Sequence, residues 1–293
     1  MFNQSDVVIF SVQNLDVSDL PRYRLSHQRF VFYEMESPSN TDRVIHDVSK
    51  IRYSYFNWTM TYRMDSDIVN RDSYGMTTPI HPIRPNYPDI GRKWKNESKP
   101  LMVNVKQKTK MIAWFVSNCK SQSKREDYIH QLRRFIDVDV YGKCSNKSCV
   151  DVLECQAMLK RDYKFYIAFE NSLCPDYVTE KLTRTLMKDL IPIVYGAVDY
   201  SLFAPPHSYI NVDDFQSVEH LARYISLLNE NDQLYAQYFE WKRDYSVATV
   251  YKKGWCHLCQ LAHDDQLPPK IYHDIYAWWF NERPCVQPTF SFK

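Results

Sequence analysis

The stretch Tyr163–Gly196, YKFYIAFENSLCPDYVTEKLTRTLMKDLIPIVYG, decides how this chain is read. It opens on an apolar, aromatic run that suits a buried strand. It then crosses a dense polar junction, FENSLCPDYVTEKL, and continues with helical periodicity through DYVTEKLTRTLMKD. A second apolar run, LIPIVYG, follows and is closed by Gly196. Strand, helix and strand in that order, with no room for a hairpin, imply a parallel pair joined by a crossover helix. The same alternation precedes it. MIAWFVS (111–117) reads as a strand, KREDYIHQLRRFI (124–136) as a helix with Tyr128, Leu132 and Phe135 on one face, and VDVYG (138–142) as another strand. Repetition of this unit predicts an α/β parallel sheet.

Working outward, residues 1–75 carry strand signals at DVVIFSV and RFVFYEM, followed by FNWTMTYRMDSDI, and read as half of a further α/β layer. The proline-dense segment Thr77–Lys99 has no apolar period and reads as an interdomain linker. The predicted division is a first unit at 1–99 including the linker, a second at 100–262, and a C-terminal tail at 263–293 in which KIYHDIYAWWF forms an aromatic helix. A chain of 293 residues is long enough for two domains.

Composition excludes some functions. A net charge of +2 with 25% charged residues provides no polyanion-binding surface, so nucleic acid is not an expected partner. Five glycines argue against a glycine-rich phosphate loop. Eight cysteines and the N-x-S/T acceptors Asn3, Asn57, Asn96 and Asn146 point to the secretory route, although each acceptor alone is a weak signal. The start, MFNQSDVVIFSVQNLD, reads as a strand rather than a signal peptide or membrane span. The expectation is a chain that lacks its anchor, or one that never enters that route.

The polar junction is the candidate site. In parallel sheets, ligands collect where strand ends meet helix starts, and a helix start offers free N–H groups to a phosphate. Asp176 is the expected N-cap and Lys181 an expected point charge for a diphosphate. Arg125 occupies the equivalent junction one unit earlier. Two cations converging from two junctions suggest a nucleotide-sugar diphosphate; the plainer reading is two surface charges at helix starts.

DSD (Asp65–Asp67) mimics the D-x-D pattern that holds a divalent cation. It lies far from the junction and beside Arg63, so an Arg–Asp network is expected and no metal site is assigned. CHLC (Cys256–Cys259), with His263 and His273, has zinc-like spacing, but disulfides are the preferred reading. Cys119 and Cys174 are expected near each other at the sheet edge and able to pair, and Cys144, Cys149 and Cys155 are close enough for a local bridge; with Cys285 all eight cysteines are disulfide candidates.

FYEMESPSN, FNWTMTYRMDSDI, WFVSNC, YKFYIAFENSLCPDYVTEKL and IPIVYGAVDY, in this order, resemble the α1,3-fucosyltransferases, an inverting family that uses GDP-fucose. The resemblance runs from about Asn3 to the last helix. It implies a GT-B arrangement of two Rossmann-like domains facing a cleft, with the acceptor held by the first and GDP-fucose by the second, and no metal cofactor. It gives Lys181 and Arg125 to the diphosphate, and Glu170, Asn171, Tyr177 and Glu180 to the donor pocket, with Tyr141 and Gly142 near the nucleotide. Glu36 of MESP matches the family's general base; Glu34, two residues earlier, is the competing carboxylate. The same resemblance implies a type II Golgi membrane protein in full-length form, and a first domain incomplete at its start. Cys256 and Cys259 would then lack their usual upstream partners. The cysteine pattern is closest to members that fucosylate the innermost GlcNAc of N-glycans. Lewis-type fucosylation of lactosamine antennae, or a non-catalytic remnant that still binds GDP-fucose, are the alternatives.

Overall fold

The computed structural model describes residues 2–41, 49–80, 107–248, 252–288 and 290. Two parallel sheets form the frame. The first contains β1 (Val7–Ser11), β2 (Arg29–Glu34), β3 (Trp58–Thr61) and β4 (Ile68–Val69) in that spatial order. A short strand β5 (Met76–Pro79) leaves it. The second sheet contains β6 (Lys110–Phe115), β7 (Val138–Tyr141), β8 (Tyr163–Phe169), β9 (Ile191–Tyr195) and β10 (Ile210–Asn211), ordered β10-β9-β8-β6-β7. A strand β11 (Tyr245–Ala248) returns and pairs antiparallel with β5. The start of the expected linker is therefore a strand; its remainder, 81–99, lies outside the described residues.

Helices cover both faces of the second sheet, and the last one packs on the first. α1 (Arg125–Leu132), α2 (Val152–Asp162), α3 (Glu180–Leu186), α4 (Val218–Glu230), α5 (Asp232–Gln237) and α6 (Lys253–Ala262) follow in chain order. Alternation along the strands decides which helix packs where. Ile112, Trp114, Phe165, Ile167 and Phe169 face α1 and α4, meeting Tyr128, Ile129, Leu132, Leu221 and Ile225. Ala113 and Ala168 face the other way, toward Leu159 of α2 and Leu182 and Leu186 of α3. α2 escapes the sequence reading because Val152 and Leu153 lie on its exposed side and blur the apolar stripe. Its start is marked by chemistry instead: Asp151 accepts the N–H of Glu154 at 2.9 Å, an N-cap.

Two helical expectations are corrected. Phe135 is 48% exposed because α1 ends at Leu132, and Ile136 fills the core in its place. The helix expected from Asp176 begins only at Glu180, with Thr179 as N-cap.

The last segments rejoin the first sheet. Leu258 of α6 packs with Val31, Trp58, Met60 and Ile68, and the Lys253 N–H bonds Asp72 Oδ2 at 2.8 Å. α6 thus packs on the first sheet. Ile275, Trp278 and Trp279 enter the aromatic core of Phe30, Phe32, Phe56 and Tyr62. The expected aromatic helix is only a π-helical turn, Ala277–Asn281. Buried Arg63 holds it, lying 4.1 Å over the Trp278 ring and donating to the Trp278 carbonyl.

Candidate active site

β8 ends at Phe169, and its next residue organises the junction. Glu170 is buried, yet both carboxylate oxygens are satisfied. Oε1 accepts the Thr179 N–H at 2.8 Å, the Thr179 hydroxyl lies 3.0 and 2.9 Å from Oε1 and Oε2, and Lys181 Nζ lies 2.9 Å from Oε2. Glu170 therefore fixes Thr179, the N-cap of α3, in the position that Asp176 was expected to hold. A buried carboxylate with this many partners is held in place rather than destabilised. Lys181 keeps a quarter of its side chain exposed and is the more accessible member of the pair.

Arg125 supports the junction from below. Its Nη1 donates to the Phe169 carbonyl at 2.8 Å and its Nη2 to Asn118 O at 3.4 Å, while Nε pairs with Glu126. Ser123 Oγ donates to the Glu170 carbonyl at 2.7 Å. The two predicted cations thus bracket the Phe169–Glu170 step, Arg125 through backbone and Lys181 through the carboxylate. Arg125 is buried and its donors are directed to protein oxygens.

The loop after Glu170 crosses to the first unit. Cys174 and Tyr177 are buried in that unit's aromatic core, the Tyr177 ring 4.9 Å from Tyr62. Ser37 and Ser39 each donate to Ser172 Oγ at 2.7 Å. Asp176, in a left-handed conformation with φ 64°, accepts the Met64 N–H at 3.0 Å and pairs with Arg283. Its role is to join the two units.

Glu36 meets this loop. It follows the end of β2, just before a helical turn at 38–41 opened by Pro38, a residue that suits the first helical position. Its Oε2 accepts from Tyr177 Oη at 3.2 Å and from Asn40 Nδ2 at 2.8 Å. Burial, with the carboxylates of Glu170 and Glu36 nearby, pushes the Tyr177 phenol well above its ordinary range, so it stays a donor. Glu34 is different. It is 2% exposed and turned inward, its Oε1 accepting the N–H groups of Met35 (2.9 Å) and Glu36 (2.7 Å), while its Oε2 is buried without a partner. Desolvation raises its pKa to about 7. Glu34 shapes the turn that carries Glu36.

Among the remaining candidates, Asn171 has a buried Oδ1 with no partner. Glu180 and Lys181 line one cavity of about 300 Å3 together with Phe115, Tyr166 and Arg184. The Tyr141 hydroxyl bonds that of Tyr163 at 2.7 Å, so its polar end faces inward. Gly142 has φ 106°, and a Cβ there would lie 2.5 Å from the Val116 carbonyl; only glycine fits this approach of two strand ends.

The two aspartates of DSD are engaged within the protein. Asp65 pairs with Arg63 at 2.6 Å, and Asp67 takes the Thr59 N–H and the Tyr272 hydroxyl, each at 2.9 Å.

The cysteine pairing differs from expectation. Cys119 bonds Cys144, not Cys174, and Cys174 bonds Cys285 from the C-terminal segment. Cys149 and Cys155 form the local bridge. Cys256 and Cys259 are exposed free thiols. Asn57, a candidate glycan acceptor, is buried; its Nδ2 donates to the Lys270 carbonyl at 2.9 Å and its Oδ1 accepts the Phe30 N–H at 2.8 Å, so in the folded chain its amide is engaged inside the protein. Asn96 lies outside the described residues.

Sequence reasoning missed Thr179, Ser123 and the Ser37–Ser39–Ser172 cluster. Thr179 alone left a signal, as a threonine immediately before a Glu-Lys helix start.

Two family models match the chain: Fucosyltransferase, N-terminal, over residues 1–75, and Glycosyltransferase family 10 (fucosyltransferase) C-term over residues 105–278, more than half the chain. The chain belongs to glycosyltransferase family 10. It is 40% identical over 288 residues to α-(1,3)-fucosyltransferase C of Drosophila melanogaster, covering 94% of this chain and 65% of that protein. It is 38% identical to glycoprotein 3-α-L-fucosyltransferase A of the same organism, covering 89% of this chain and 49% of that one. The family 10 chain thus spans about half to two thirds of the length of these relatives. A crystal structure of an α1,3-fucosyltransferase with GDP-fucose matches with a TM-score of 0.55 at 19% identity, over 92% of this chain and 80% of that one. The fold is accordingly α/β and GT-B-like. Among the described residues no helix is long and apolar enough to cross a membrane.

Proposed function

We propose that this chain is an α1,3-fucosyltransferase that moves L-fucose from GDP-fucose to the 3-hydroxyl of the innermost GlcNAc of glycoprotein N-glycans, with inversion. The observation that carries the reading is the hydrogen bond from Tyr177, on the loop after β8, to Glu36, at the end of β2. It brings a carboxylate of one unit against the polar junction of the other.

Inversion requires attack opposite the leaving diphosphate, with the acceptor hydroxyl losing its proton as the bond forms. Glu36 is the base. The acceptor O3–C1 bond forms, the C1–O bond to the diphosphate breaks, the O3 proton passes to Glu36, and GDP leaves with the electron pair. Tyr177 orients the carboxylate before the acceptor arrives. Lys181 turns from Glu170 toward the diphosphate and Arg125 stiffens the same junction while contributing its positive charge. Glu170, Asn171, Tyr177 and Glu180 form the donor pocket, with Tyr141 and Gly142 near the nucleotide. The charge on the leaving group is met by protein cations, so transfer proceeds without a metal.

The core GlcNAc is favoured by the cysteine pattern and by the likeness to a Drosophila protein named a glycoprotein 3-α-L-fucosyltransferase. Residence in the Golgi lumen follows from the same reading. The test is transfer from labelled GDP-fucose, in the presence of EDTA, to an N-glycopeptide and to free lactosamine. Label on O3 of the innermost GlcNAc supports the proposal. Label on lactosamine alone selects Lewis-type transfer, and GDP-fucose binding without turnover selects a non-catalytic remnant.

A further inference from the structure

Among the described residues β7 is the terminal strand of the second sheet, and one side of its backbone has no strand partner there. Exposed strand edges invite pairing with other chains and are usually covered or blunted. Here residues 142–147 fold back along the edge. Ser145 Oγ donates to the Val140 carbonyl at 2.7 Å, the Gly142 N–H to the Lys147 carbonyl at 2.9 Å, and Lys147 Nζ lies 2.5 Å from Asp139 Oδ1. The Cys119–Cys144 disulfide ties this loop to the segment after β6. Asn146 stands at its tip, and Asn146, Lys147 and Ser148 are all exposed. Beside it runs a groove of about 1100 Å3 whose lining includes Asn146, Met111, His130, Arg133, Val140 and Asn229. Such a surface offers hydrogen-bonding groups for sugar hydroxyls and apolar patches for pyranose C–H faces.

We propose that Asn146 carries an N-linked glycan that lies along this groove and covers the open edge of β7. Three disulfides suit maturation in the oxidising compartment where such transfer occurs. The co-reactant is an oligosaccharide on a lipid pyrophosphate. The Asn146 Nδ2–C1 bond forms, the C1–O bond to pyrophosphate breaks, an Nδ2 proton goes to the transferring enzyme's base, and the lipid pyrophosphate leaves with the electron pair. The loop, tied by its disulfide, presents the exposed Asn-Lys-Ser acceptor. Asn3, by comparison, has its Oδ1 engaged by the Tyr23 hydroxyl at 3.0 Å, and Asn57 is buried. The inference is independent of the transferase reading.

The test is glycopeptide mass spectrometry on the chain secreted from eukaryotic cells behind a cleavable leader, with hydrogen exchange across Val138–Tyr141. Asn146 is expected to be occupied and Asn57 empty. The Val138–Tyr141 amides are expected to exchange several-fold more slowly than in Asn146→Gln and Ser148→Ala, two different ways of removing the glycan. An unmodified Asn146 overturns the site. An occupied Asn146 with the same β7 exchange in the wild type and both variants overturns the covering role.

Discussion

Tyr177 donates its phenol proton to Glu36 Oε2 across 3.2 Å, joining two residues 141 positions apart in the chain and on different units. The phenol is buried and backed by Tyr62, so the geometry exists before any ligand arrives. The donor fixes the direction in which the Glu36 carboxylate points. Tyr177→Phe removes that donor and little else. Because a hydrogen bond to a charged group contributes about 1.5–3 kcal/mol, kcat is expected to fall roughly 10–100-fold. Unchanged kcat in a folded variant would mean that Tyr177 does not orient the base.

Lys181 is held by Glu170 and Thr179 and is the cation most free to turn toward a diphosphate. Lys181→Ala is expected to weaken GDP binding by about 1.5–3 kcal/mol while leaving guanosine binding nearly unaltered. Titration calorimetry with both ligands separates a diphosphate contact from general damage. Equal loss for the two would assign Lys181 to the scaffold.

Glu34 gives stability a pH signature. Burial raises its pKa from 4.5 to about 7 in the folded chain. The unfolded chain releases this proton near 4.5 and the folded chain only near 7, so between those values the folded state binds more protons. The Glu34 contribution to stability therefore falls as pH rises through that window, by an upper bound of about 3 kcal/mol. Urea midpoints for wild type and Glu34→Gln should converge or cross between pH 4.5 and 8 in the variant's favour. A wild-type-to-variant difference that stays constant across that range contradicts the account.

The disulfides should rank by the loop they close. Cys174 and Cys285 are 111 residues apart and fasten the junction loop to the C-terminal segment, whereas Cys149 and Cys155 are separated by six. Chain entropy alone predicts losses of about 5 and about 2 kcal/mol on replacing each pair by alanine. Chemical unfolding of the two double variants tests the order, and the reverse order would show that strain or residual structure dominates.

Much of the second sheet was legible because β6, β8 and β9 are largely buried apolar runs bounded by polar turns, and such runs have few alternatives to a parallel strand, while β7 showed as the valine and tyrosine run that Gly142 closes. The junction at Glu170–Lys181 stood out for the same reason: polar groups in that density have no place in a core. What was not legible depends on contacts distant in sequence. Nothing near Asn57 signals that its amide will be spent bridging Phe30 and Lys270. Nothing local tells Cys174 to meet Cys285 rather than Cys119, since that pairing follows from the C-terminal segment crossing to the first unit. α6 was assigned by continuity with the residues before it, while its apolar face, with Leu258, is complementary to β3 and β4. Asp176 had the composition of a cap but lost that role to Thr179, which is held by Glu170, nine residues away in sequence and adjacent only after folding.

Glu36→Gln tests the central claim most directly, because it keeps the shape of the side chain and removes its basicity. Single-turnover transfer of fucose from GDP-fucose to an N-glycopeptide should slow by ~10²–10⁴-fold, with GDP-fucose affinity nearly unchanged, while Glu34→Gln assayed alongside at pH 7 loses far less. Transfer by Glu36→Gln at the wild-type rate would show that Glu36 is not the base.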